Sequence, residues 1–205
     1  MTDIIRTIRT NREWDTILKE EANCKGISIN CLLNQIIERY VFSYRFIDVF
    51  PCLVVPSEMI KGLLDGLTEQ QLIKEGESAG SFVPKHSLFL KGLTPNLEDI
   101  MLCMENMVSQ HSNWYQFKCH KTNGKITMLL RHHLGRKWSI YLQAYYIALF
   151  KKLINVSITS EIGENSLAIM LPNSIKINNN HNGLEQVQVN NHKATINNSV
   201  KKNKF

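Results

Sequence analysis

Four adjacent side chains carry the most chemistry in this chain: Cys119-His120 and His132-His133, with Tyr115 nearby. Thiol and imidazole are zinc ligands, so a metal site is the first reading to weigh. The segment "WYQFKCHKTNGKITMLLRHHL" turns at Asn123-Gly124, the strongest short hairpin signal. A two-residue turn sets Thr122 opposite Lys125 and Tyr115 opposite His132. His120 and His132 are then roughly 16 Å apart along the ladder at about 3.3 Å per residue, whereas zinc ligands lie within about 2.3 Å of the metal. Adjacent His132 and His133 also point to opposite faces. No metal is expected. His132 shares the apolar face with Tyr115. It reads either as a hydrogen-bonded core histidine or, paired with Tyr115, as a pH- or ligand-sensing group. The chain shows no nucleophile–base pair, paired carboxylates, P-loop or dinucleotide-binding glycine pattern. It is not expected to be an enzyme or to hold a cofactor.

The elements that place these groups follow from periodicity. After the hairpin, "GRKWSIYLQAYYIALFKKL" reads as an amphipathic helix with Trp138, Tyr141, Leu142, Tyr145, Leu149 and Leu153 on one face. "VSITSEI" and "SLAIMLP" flank Gly163-Glu164-Asn165 as a second hairpin. Residues 113–172 are therefore expected to be an α+β domain of order ββαββ, with the helix on one face of the sheet. Residues 47–112 read as a helical connector. Ser57 caps one helix there. Thr68 and Gln71 form a capping box for a short helix ending near Gly76 to Gly80. Leu97, Ile100, Met101 and Met104 make a core stripe. Residues 173–205 contain ten Asn and five Lys, the composition of a disordered polar tail.

The N-terminal stretch has a different grammar. Ile4 to Thr10 alternates with β-branched content. Asn11 is an N-cap, and Trp14, Ile17, Leu18 and Ala22 form a helical stripe that stops at Gly26. Ser28 caps a second helix with apolar positions at Ile29, Leu32, Leu33, Ile36, Tyr40 and Tyr44. One strand and two short helices make too small a core to fold alone, so obligate dimerisation is expected.

The run "IRTIRTNREWDTILKEEANCKGISINCLLNQIIERYV" resembles the ribbon-helix-helix superfamily (CopG/Arc/MetJ-like). It is similar to archaeal ribbon-helix-helix proteins that carry an uncharacterised C-terminal α+β domain. The resemblance covers residues 1–46. It implies a mainly α fold with a small α+β part: an N-terminal ribbon-helix-helix homodimer, the helical connector and the ββαββ domain. It implies further that the paired strands enter the major groove of double-stranded DNA. Ile5, Thr7 and Arg9 would read bases, and Ser28, Ile29 and Asn30 would hold a phosphate at the start of the second helix. Arg6 departs from the pattern, which has an apolar inward residue there.

Composition neither opposes nor demands this. Apolar residues are 43% and charged residues 20%, as in soluble globular chains. The net charge of +6 is unevenly spread: residues 1–45 hold seven Lys/Arg against six Asp/Glu, and residues 173–205 hold five Lys against one Glu. No apolar run reaches the roughly 18 residues a membrane span needs. Five scattered cysteines without a CxxC fit reduced thiols in a cytoplasm. The expected function is a sequence-specific, dimeric transcriptional regulator. The alternative is a non-DNA-binding interaction or ligand-sensing protein whose N-terminal strand serves only dimerisation.

Overall fold

Helix capping shapes the N-terminal region. In a computed structural model of the chain, described for residues 4–47, 49, 52–122 and 124–172, the first element is helix α1 (Arg12–Lys25). Asn11 Oδ1 accepts the Trp14 N–H at 2.8 Å. Gly26 then turns left-handed at φ +65° and its N–H returns to Ala22 and Asn23 carbonyls, a conformation that favours glycine. Helix α2 (Ile29–Phe42) starts at Ser28, whose hydroxyl accepts the Cys31 N–H at 3.1 Å. A 3-10 turn, Tyr44–Phe46, follows.

The expected ribbon-helix-helix fold is corrected here. Residues 4–11 have no secondary structure and all are exposed. The only sheet among the described residues is C-terminal and does not include them. An isolated extended segment cannot pair its own backbone groups, and the described residues offer it no neighbouring strand. Ile8, midway along the segment, is 63% exposed. Among the described residues helices come first and the sheet last, with no N-terminal ribbon.

Residues 47–112, expected as a helical connector, supply part of the core. Helix α3 (Ser57–Asp65) precedes helix α4 (Glu69–Leu90), which begins with the capping box of Thr68 and Gln71. α4 does not stop near Gly76 to Gly80. It runs 22 residues, past both glycines and Pro84. Helix α5 (Leu97–Leu102) widens into a π-helical segment, Cys103–His111.

The sheet contains β1 (Gln116–Thr122), β2 (Lys125–Arg131), β3 (Thr159–Ile162) and β4 (Ser166–Leu171). It is antiparallel throughout, in the order β1-β2-β4-β3. The first hairpin has the expected register, Thr122 facing Lys125 and Gln116 facing Arg131. Asn123, the first residue of its turn, and the expected tail at 173–205 lie outside the described residues. Helix α6 (Arg136–Ile154) crosses between the hairpins and is buried on nearly all sides. Its Leu142, Tyr146, Leu149 and Phe150 join Ile126, Met128, Leu130, Leu167 and Ile169 in one core, which α4 extends with Leu72 and Leu88.

The two helices approach to backbone contact. A Cβ on Gly76 would lie 2.6 Å from the Tyr141 carbonyl oxygen and 2.9 Å from the Ala144 Cβ, and one on Gly80 would run into the Tyr145 carbonyl. The glycines are thus packing residues rather than helix stops. Gly80→Ala should cost about 1–3 kcal/mol through overpacking. Gly62→Ala, in the open interior of α3 with nothing within 4 Å, should stabilise by about 0.5–1 kcal/mol. Thermal denaturation of the two variants checks this; equal midpoints would remove the close-approach argument.

Candidate functional site

The groups with possible chemistry meet where the hairpin β1–β2 delivers the chain into α6. His132 lies just beyond β2 and its backbone N–H bonds the Asn165 carbonyl at 3.0 Å. Its ring Nδ1 accepts the Leu134 N–H at 3.3 Å, so the ring proton sits on Nε2 and is donated to Ser139 Oγ at 2.9 Å. Ser139 is fully buried on the first turns of α6. Burial, then the neighbouring His133, pushes the His132 pKa down from 6.5 to about 4, against the pull of Glu164. A histidine that activates a serine must accept its proton. Here the imidazole donates, so the pair holds the loop against α6 and is not arranged for nucleophilic attack.

Tyr115 and His132 do not act together. The Tyr115 hydroxyl bonds that of Tyr146 inside the core, two helical turns after Ser139. Burial raises the pKa of both phenols, so both stay neutral. Around them the aromatic rings interlock. Trp138 stacks on Tyr141 with centroids 5.0 Å apart, meets Trp114 edge-on at 5.2 Å, and donates its indole N–H to the Trp114 carbonyl at 3.2 Å. Offset and edge contacts of this kind add to area burial.

Near these residues a cleft of about 310 Å³ lies between α3, the loop before α6 and the β3–β4 turn. Lys61, Asp65, His133, Arg136, Lys137 and Glu164 line it. Its Lys137 ammonium and the first backbone N–H groups of α6 are already used. Lys137 Nζ donates to the Asp65 and Leu67 carbonyls at 2.8 and 2.7 Å, closing the end of α3. The N-terminus of α6 has no side-chain cap of its own. Gly135, at φ +81°, presents its N–H to Asn165 Oδ1 at 3.0 Å, and the Arg136 N–H reaches Glu164 Oε1 at 3.4 Å. A carboxylate at that end also suits the helix dipole. The β3–β4 turn therefore occupies the place an anion would take.

The remaining sequence-derived candidates stand apart. Cys119 is half-buried on the inner face of β1 and His120 is exposed on the outer face. Among the described residues no three His, Cys, Asp or Glu are gathered as a metal would need. Ile5, Thr7 and Arg9 lie on the exposed N-terminal segment, which forms no ribbon. Ser28, with Ile29 and Asn30 after it, serves the first turn of α2 as its cap. The DNA-binding and transcription-regulation reading rested on the ribbon and is withdrawn with it. Two contacts had no sequence signal, because they join residues about 70 positions apart. Arg39 Nη2 donates to the Gln110 carbonyl at 2.8 Å, and Ser43 Oγ bonds His111 Nδ1 at 2.7 Å, fastening α2 to the π-helical segment.

The pH dependence of the His132 contact has a definite sign. A folded pKa below the unfolded value means that the unfolded chain binds the proton more tightly, so this contribution is full above pH 6.5 and is lost as pH falls towards about 4. His132→Gln should flatten the loss of stability in that window. Denaturant midpoints measured between pH 7 and pH 4 check this, and parallel profiles for the two proteins would refute it.

No family model matches the chain, and no curated protein matches it. One solved structure with some likeness is a trafficking protein particle complex subunit 3 from Naegleria fowleri, covalently bound to palmitic acid. It has a TM-score of 0.35 and 8% identity, covering 68% of this chain and 96% of that one. At that level the likeness carries no argument about what this chain does, and no family membership follows from it.

Proposed function

We propose that this chain is a non-enzymatic interaction protein that associates with a second copy of itself through α1 and α2. One observation carries the reading. Within the two helices only Ala22 and Leu32 are buried, while Trp14, Ile17, Ile37 and Tyr40 are 62%, 58%, 57% and 57% exposed. Several large apolar side chains exposed on two short helices favour an interaction site there. Two buried side chains do not offset the entropy of ordering a 14-residue helix twice over. A second copy brings the same face, so one isologous contact covers both.

The same arrangement supports the interaction reading over a sensing one. His132 and Tyr115 have their hydrogen bonds within the core, which leaves neither ready for a ligand. No helix among the described residues is long and apolar enough to cross a membrane. Cys24, Cys31, Cys103 and Cys119 are free thiols, which suits a cytoplasmic site of action.

The expected mass by sedimentation is near twice 23.6 kDa, with dissociation on dilution. Trp14→Asp combined with Ile37→Asp should yield a monomer that keeps the near-ultraviolet circular dichroism of the Trp114–Trp138 cluster. A wild-type chain that sediments as a monomer at all concentrations would sink the proposal. So would a double variant that remains dimeric.

A further inference from the structure

The sheet has a second face that nothing in the chain's described residues covers. α6 takes one side, with Ile126, Met128, Leu130, Leu167, Ile169 and Leu171 buried beneath it. Strand alternation turns the other set outward. The cross-strand register places these residues in rows: Lys118 beside Leu129, Ala168 and Glu161; His120 beside Thr127, Met170 and Thr159; and Arg131 at one end of β2 with Lys125 at the other. Leu129, Ala168 and Met170 are only half-buried, and Lys118, Lys125 and Arg131 are exposed around them. The face is a small apolar centre inside a cationic rim.

Its charge is local. Of the net +6, residues 173–205 hold five Lys and one Glu, which leaves +2 for residues 1–172. Three outward cations against Glu161 account for that entire excess, so the rest of the body is neutral. The chain beyond Pro172 is itself basic, so it does not complement this face electrostatically. No outward position is Phe, Tyr or Trp, so the face has no platform on which bases would stack.

We infer that the solvent face of the sheet docks an acidic polypeptide segment with small apolar side chains between its carboxylates. Carboxylates meet Lys118, Lys125 and Arg131, the last with the fork that suits a bidentate contact. The apolar side chains lie on Leu129, Ala168 and Met170. Complementary charge around an apolar centre sets partner choice and encounter rate. This surface is separate from the α1–α2 face, so either proposal stands if the other fails.

The test uses the full-length protein and a fluorescein-labelled peptide of alternating Glu and Leu, followed by fluorescence anisotropy. Single- and double-stranded DNA of equal charge serve as competing probes. Lys118→Gln with Arg131→Gln should weaken the peptide about tenfold or more, and added salt should weaken it further. Both side chains are exposed, so the thermal midpoint should not move. Replacing the five lysines beyond Pro172 with glutamine should leave peptide affinity within about twofold, since unrelated surface charges are largely screened. Overturning results are no peptide binding, unchanged affinity in the double variant, loss only on changing the distal lysines, or a double variant that weakens DNA while sparing the peptide.

Discussion

The body of the protein depends on how closely α4 and α6 approach. α6 is central: one side carries the sheet and the other carries α4. A helix flanked on two sides must be apolar nearly all round, and α6 has buried residues throughout its length. Gly76 and Gly80 remove the side chains that would hold the helices apart, so the Tyr141, Ala144 and Tyr145 segment of α6 lies directly on the α4 backbone. Contact at this distance gathers many weak dispersion interactions. It leaves no room for variation at either glycine, and it brings α4 into the core that the sheet alone would leave too small.

The buried polar groups follow from the same layering. A histidine and several phenols inside an apolar core are costly unless paired. His132 pairs with Ser139 and Tyr115 with Tyr146, both through α6. The loop before α6 and the β3–β4 turn likewise satisfy each other's backbone and side-chain groups. His132, Ser139, Tyr115 and Tyr146 are thereby committed to holding the sheet and helix in place. Where the described residues meet solvent they present two faces, the N-terminal helices and the outer side of the sheet.

Those faces differ in character. The N-terminal helices expose large apolar side chains and are tied to the body by two polar contacts, at Gln110 and His111. The outer sheet is polar and cationic around a modest apolar centre. An apolar surface suits a permanent contact, in which both sides stay buried. A charged one suits a partner that comes and goes, because its attraction is screened by salt and does not demand continuous burial.

Local chemistry was legible in the residues themselves. Asn11, Ser28, and Thr68 with Gln71 start helices because their side chains reach backbone donors three residues on. Gly26 ends one because it accepts a left-handed conformation. The two positions between Thr122 and Lys125 leave the β1–β2 register no alternative. All of these act within a few positions along the chain. Distant pairings were not legible. Gly76 and Gly80 looked like helix stops because a glycine's neighbour across a helix interface is invisible in sequence. Ile4 to Thr10 has the alternation of a strand, yet alternation supplies only half of one: hydrogen bonds need a second backbone, and the described residues provide none. In sequence His132 fits both core and sensor, because its role turns on Ser139, which a strand, a loop and a helix together bring within reach. Propensity and capping are written locally, whereas close approach, pairing and the direction of a proton depend on which elements the fold sets side by side.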